Sequence, residues 1–181
     1  MEPRQTPRSR PTPRVEGMQK MVDAAVALLR EHSADAVTVR DIADRSGHHH
    51  RFVAAWFGGK VGLFGAAFEQ MAADAATTVR FPFGSGVIDD ELIRIVQLMN
   101  WLVANDPGAL GLPRATPIFE LLIGVYVGFG LSPVDARLFA QRLLATVTSF
   151  VLFAAPFGIS DDDIRDHLAL ERRLIAAAAG G

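Results

Sequence analysis

The stretch Thr38 to Lys60, TVRDIADRSGHHHRFVAAWFGGK, reads as two short helices joined by a tight turn. Thr38 is placed to N-cap the first helix, and Asp41, three residues on, can reach back to complete a capping box. Val39, Ile42 and Ala43 supply an apolar stripe at helical spacing, leaving Arg40, Asp44 and Arg45 for solvent. Ser46-Gly47 ends that helix, because glycine reaches positive φ at little steric cost. A second helix is predicted from about His48 to Trp56, with Phe52, Val53, Trp56 and Phe57 on its buried face. Two helices of this size about a glycine turn form a helix-turn-helix, which lays its second helix in the DNA major groove. His48, His49, His50 and Arg51 then occupy the start of the second helix, where base edges are usually read, with Ala54 and Ala55 beyond them.

At these residues the chain resembles the DNA-binding domain of TetR-family transcriptional repressors. Thr38, the Ile42-Ala43 pair, Gly47, and Trp56-Phe57-Gly58-Gly59-Lys60 running into Leu63-Phe64 carry the resemblance, which covers roughly Met18 to Met71. It implies phosphate contacts from Thr38 and Lys60, base contacts from His49, His50 and Arg51, and a helical ligand-binding domain behind the head. The chain departs from the family at His48-His49, where Val-Ser is usual, and at Ala54, where a phosphate-binding Tyr is usual.

The remaining chain is predicted to be all helical, with an arm at 1–15, a helix-turn-helix domain at 16–59 and a C-terminal ligand-binding and dimerisation bundle at 60–181. The 181 residues are half hydrophobic and contain no cysteine, which excludes a disulfide framework and a thiolate metal site. Net charge is −2, divided as +3 over residues 1–60 and −5 over 61–181. A basic head suits a phosphate partner, and the acidic remainder confines nucleic acid to that end. No apolar segment follows the basic N-terminal residues, so a cytoplasmic protein is expected. The arm sets Arg4, Arg8, Arg10 and Arg14 among four prolines without apolar periodicity. It is expected to be disordered, either following DNA or serving only as a solvated tail.

Behind the arm, Met18, Met21, Val22, Ala25, Leu28 and Leu29 predict a helix from about Glu16 to His32. Lys60 opens another, to about Val79, in which Gly62 and Gly65 mark a flexing point or a close approach. FPFGSG at 81–86 is a loop. Asp89-Asp90-Glu91 places acid at the start of a helix reaching about Ala104. After a loop at 105–115, Thr116-Pro117 restarts a helix that is apolar nearly all round and is expected to be central and buried. Ser132-Pro133-Val134-Asp135 opens a long helix to about Ala155, and Ser160 caps the last.

Leu143 to Ser160 is uncharged, but Pro156 and Gly158 interrupt it before a bilayer would be crossed, so no membrane partner is expected. Burial by the core and by a second subunit explains it better, and the last two helices are the expected interface of a homodimer. Trp101, Phe119, Tyr126, Phe129 and Phe150, with Arg142 and Thr146 among the nearby polar groups, suggest a cavity for a small-molecule effector. Plain core packing is the competing reading of those aromatics.

Consecutive histidines point about 100° apart on a helix, so His48-His49-His50 do not form a metal site. They do suggest DNA affinity that rises as the pH falls. No G-x-S-x-G, phosphate-cradling glycine loop or H-E-x-x-H occurs, and neither an enzyme activity nor a cofactor is expected. The function expected is that of a homodimeric regulator, most simply a repressor released from a palindromic double-stranded operator by its effector. The alternatives are a ligand-binding or scaffold protein with weakened DNA affinity, and a small helical enzyme using the aromatic cavity.

Overall fold

A computed structural model of the chain describes residues 13–78, 87–106 and 116–180. Most of the expected arm, the 81–86 loop and most of the 105–115 loop lie outside them. Among the described residues there are eight helices: α1 (Arg14–Glu31), α2 (Val39–Ser46), α3 (Arg51–Phe57), α4 (Lys60–Thr78), α5 (Asp90–Asn105), α6 (Thr116–Gly128), α7 (Pro133–Phe157) and α8 (Asp161–Ala179). The first helix therefore begins inside the expected arm, Arg14 and Val15 belonging to its opening turn.

The stripe predicted on α1 is its buried face, with Met21, Val22, Ala25, Leu28 and Leu29 all in the core. That face packs on α2 and α4. Neither short helix of the head could bury its own stripe, so α1 supplies the missing surface. From there α4 carries the core onward through Leu63, Phe64, Ala67, Phe68 and Met71, each almost wholly buried, and packs against α5 and α6 as well as α1 and α3. One continuous apolar core runs from Met21 in the head to Ile175 in α8.

Capping is local: full boxes form at Thr38 and Ser160, whereas at Ser132 the hydroxyl accepts from the Asp135 N–H without the reciprocal backbone bond. Thr38 Oγ1 accepts from the Asp41 N–H at 3.2 Å, and the Thr38 N–H donates to Asp41 Oδ2 at 2.8 Å. Ser160 and Asp163 repeat that box at the start of α8. Hydrogen bonds from Thr38 and Ser160 hold the Asp41 and Asp163 carboxyls below the usual carboxylate range.

Gly62 meets a steric requirement. A Cβ there would lie 1.9 Å from the Phe57 carbonyl oxygen, so the start of α4 abuts the end of α3 and close approach, not flexing, accounts for this glycine.

The bundle differs from expectation at α6. Among its described side chains only Ile118, Leu122 and Tyr126 are buried, whereas Glu120, Gly124, Val127 and Gly128 are exposed. Uniform apolarity hid an ordinary half-buried helix. A Cβ on Gly124 or Gly128 would meet nothing within 4 Å. The next helix, α7, runs through Pro156 to Phe157 before Gly158 closes it in the left-handed conformation. By length and composition α7 could cross a membrane: Pro156 does not interrupt it as the sequence suggests, and with 22% of its most apolar window buried, the expected burial by the core covers only part of it. Its first half carries Asp135, Arg137 and Arg142, and it packs against α5 and α6. Glu171, buried on α8, is ion-paired with Arg142 of α7. Burial, and next the Glu171 charge, push the Tyr126 hydroxyl of α6 far above its ordinary pKa, so α6, α7 and α8 meet at one polar cluster.

Candidate nucleic-acid interface

The helix-turn-helix is built as read, with one shift. Gly47 closes α2 at φ 70°, but α3 begins at Arg51, so His48, His49 and His50 form the turn and the N-cap instead of the first helical turn predicted for them. A run of three histidines offers no strong cap, and the His50 side chain makes no capping hydrogen bond. His49 Nδ1 instead accepts from the Arg51 N–H at 3.2 Å, satisfying a donor that the helix leaves open.

His49, His50 and Arg51 are exposed together at the N-terminal end of α3. The two imidazoles lie 4.2 Å apart, and the Arg51 guanidinium sits 5.1 Å above the Phe52 ring. Ala54 and Ala55 continue the exposed side with small residues that let a groove approach the backbone. On the other side Val53 is buried, and Phe52 stacks on Trp56 at 4.4 Å.

His48 does not join the outward set. Its Nδ1 lies 2.8 Å from the Ser46 carbonyl oxygen, and its ring meets Trp56 edge-on. Both rings pack over Gly17 of α1, where a Cβ would come within 2.8 Å of the indole. His48 braces the turn against α1.

Thr38 is exposed at the start of α2, on a helix N-terminus able to receive a phosphate. Lys60 is half-buried, and its ammonium is turned inward. Nζ donates to the Ala34 carbonyl at 2.8 Å and lies 5.0 Å from the centroids of both Phe64 and Trp101. Burial lowers its pKa, and the nearby Asp35 charge opposes that shift.

The residues expected to line an effector cavity are dispersed. Trp101 faces the head, donating from Nε1 to Asp35 Oδ1 at 2.7 Å. Phe119 lies beneath Arg137, Phe129 is exposed past the end of α6, and Arg142 is engaged by Glu171. Tyr126 is wholly buried against Phe139, and Phe150 lies against His167 beside a surface groove. Thr146 is half-buried. None of the seven borders a strongly apolar cavity in the bundle, a space of about 100 Å³ lined by Phe68, Leu92, Ile95, Val96, Met99 and Leu143, among others. Thr148 is the polar residue on its wall. The apolar stripe of α5, Leu92, Ile95, Val96 and Met99, was the sequence signal for it.

A helix-turn-helix whose outward face carries two imidazoles and a guanidinium, set on an all-helical bundle, defines a DNA-binding regulator. Residues 21–67 match the family model described as "Bacterial regulatory proteins, tetR family". The fold is shared with the TetR family repressor AlkX from Dietzia sp. strain DQ12-45-1b, at 19% identity over 88% of this chain and 97% of that one, TM-score 0.52. It is shared also with a transcriptional regulator from Rhodococcus sp. RHA1, at 20% identity over 88% and 96%, TM-score 0.59. No curated protein matches the sequence. The head thus matches the tetR family of bacterial regulatory proteins, and the chain as a whole shares the fold of solved TetR-family regulators.

Proposed function

We propose that the protein binds a palindromic double-stranded operator as a homodimer, represses from it, and leaves it when a small apolar effector enters the bundle. The exposed cluster of His49, His50 and Arg51 at the mouth of α3 carries this reading. Donor-rich side chains at the start of the second helix are placed for base edges, while the Thr38 helix end takes a phosphate. One seven-residue helix reads few base pairs, so two heads about 34–36 Å apart are needed for a usable site.

The last two helices supply a dimer surface. Leu138, Phe153 and Phe157 of α7 and Leu170 of α8 are large apolar side chains left exposed by a single subunit. The enclosed cavity sets the effector's chemistry, since a wall that is apolar except for Thr148 favours a ligand with little hydrogen-bonding capacity. At about 100 Å³ the cavity must widen to take a ligand of ordinary size, and that widening would fall on α4, α5, α6 and α7, whose side chains form its wall. An effector moves the equilibrium only as far as its affinities for the two subunit arrangements differ.

The test is selection of bound fragments from random duplex DNA by the purified protein, with gel filtration alongside. Recovery of an inverted repeat by a species of twice the chain mass supports the reading. Absence of any enriched sequence, or an asymmetric motif bound by a monomer, refutes it.

A further inference from the structure

We infer that Trp101 and Asp35 are positioning residues for DNA binding: α5 of the bundle grips the loop between α1 and α2 through the indole–carboxylate hydrogen bond, and so holds the N-cap of α2 in place. The inference rests on the DNA-binding reading of the head.

Four residues from three elements meet at this junction. Asp35 and Ala34 belong to the α1–α2 loop, Lys60 is the first residue of α4, and Trp101 lies in the last turns of α5. The Trp101 indole donates to Asp35, and the Lys60 ammonium donates to the adjacent Ala34 carbonyl while resting on the Trp101 face. A tryptophan is the side chain suited to this place. It offers a face that attracts the cation and an N–H that donates and never accepts.

The loop has little slack. The N–H groups of Ala36 and Val37 both bond back to the Ser33 carbonyl, Val37 is 2% exposed, and Thr38 follows Asp35 by three residues. A shift of Asp35 therefore reaches the capping box that starts α2. At the other end, Met99 of α5, two residues before Trp101, is on the wall of the apolar cavity, with Leu92, Ile95 and Val96 a turn or two further along. One rod thus touches the effector space at one stretch and grips the head at the next. Beside the junction His32, Arg94, Gln97, Asn100 and Asn105 border an open recess of about 380 Å³, so solvent reaches the Asp35 side of the contact.

The test uses the full chain in four forms: wild type, Trp101→Phe, Asp35→Ala and the double variant, with Asp35→Asn as the conservative control. Phe keeps an aromatic ring near Lys60 while removing the N–H along with the pyrrole part of the indole, Asp35 is exposed enough for its replacement to leave the core intact, and Asn retains an oxygen to accept from the indole. Amide hydrogen exchange of the DNA-free protein reads the junction independently of DNA. Exchange over residues 33–41 should be faster in both single variants and unchanged in α6 to α8. Affinity for wild-type-selected DNA should fall about tenfold in each, the scale of one hydrogen bond to a charged group. The double variant should lose no more than the worse single one, and Asp35→Asn, which keeps the acceptor but not its charge, should fall between Asp35→Ala and wild type. Unchanged exchange over 33–41, additive losses in the double variant, or an Asp35→Asn protein no better than Asp35→Ala would overturn the assignment. Should the wild type bind no DNA, the exchange results still judge the grip, while the DNA reading fails separately.

Discussion

Gly62→Ala separates a packing role from a flexing role by the sign of one number. An alanine Cβ at this position would sit 1.9 Å from the Phe57 carbonyl oxygen and 3.0 Å from its carbon. Ordinary carbon–oxygen contacts lie near 3.3–3.6 Å, so the α3–α4 junction must open by more than about 1 Å. The movement falls on α3, because α4 is anchored by the fully buried Leu63, Phe64, Ala67 and Phe68, whereas seven-residue α3 buries only Val53 completely. Helix propensity favours alanine by about 1 kcal/mol, while overpacking of this kind costs about 1–3 kcal/mol and occasionally more. The contact is severe enough to put the balance near 2 kcal/mol of destabilisation. Urea unfolding measures it, and Gly124→Ala is the comparison: an added Cβ there meets nothing, so that variant should gain up to about 1 kcal/mol. DNA binding by Gly62→Ala should fall further than stability does, since the displaced element is α3. A Gly62→Ala protein as stable as wild type, or more so, would refute the close-approach account.

Other expectations follow from the same geometry. Thr38→Ala removes the α2 cap and should cost about 1 kcal/mol in urea unfolding, together with weaker DNA binding at low salt. Asp41 and Asp163 have depressed folded-state pKa values, so their stabilisation is complete above their ordinary titration range and is lost as pH falls through the lower folded values. Asp41→Asn with Asp163→Asn should accordingly flatten the acid limb of a stability–pH profile, and an unchanged limb would count against the boxes. Arg142→Leu strands the buried Glu171 carboxylate and should destabilise by about 2 kcal/mol, below the figure for a fully buried pair because Arg142 is half-exposed. His49→Gln with His50→Gln should weaken binding to the selected DNA more than to random duplex, as gel-shift titrations would show, and an equal loss on both would count against base contacts from this pair.

The head was largely legible because its signals are local. A threonine three residues before an aspartate, a glycine at the turn, and apolar positions at helical spacing each act within one or two turns of chain. The start of α3 was misplaced because His48 to His50 have helical company on one side and no cap. Their fate was decided by His48 packing with Trp56 over Gly17, a contact between residues 31 apart.

The proposed effector cavity was harder to read, since aromatics were gathered by type and helix, and a cavity is defined by which faces converge. On α5 the face that lines the cavity was the buried stripe of Leu92, Ile95, Val96 and Met99, while Trp101 points to the opposite end of its own helix's work, at the head. Lys60 likewise matched a phosphate-contact position by order in the chain, and only tertiary structure reveals the Ala34 carbonyl and two rings that receive its ammonium. The uniform apolarity of α6 concealed which side faces inward.

The most direct measurement concerns the outward residue with the strongest base-reading chemistry. Wild type and Arg51→Ala should be put through the same random-duplex selection and their enriched motifs compared position by position. Preference should relax at one or two symmetry-related positions, with the rest of an inverted repeat retained. An Arg51→Ala motif identical to wild type at every position, with affinity lowered equally on all sequences, would show that this end of α3 does not read bases.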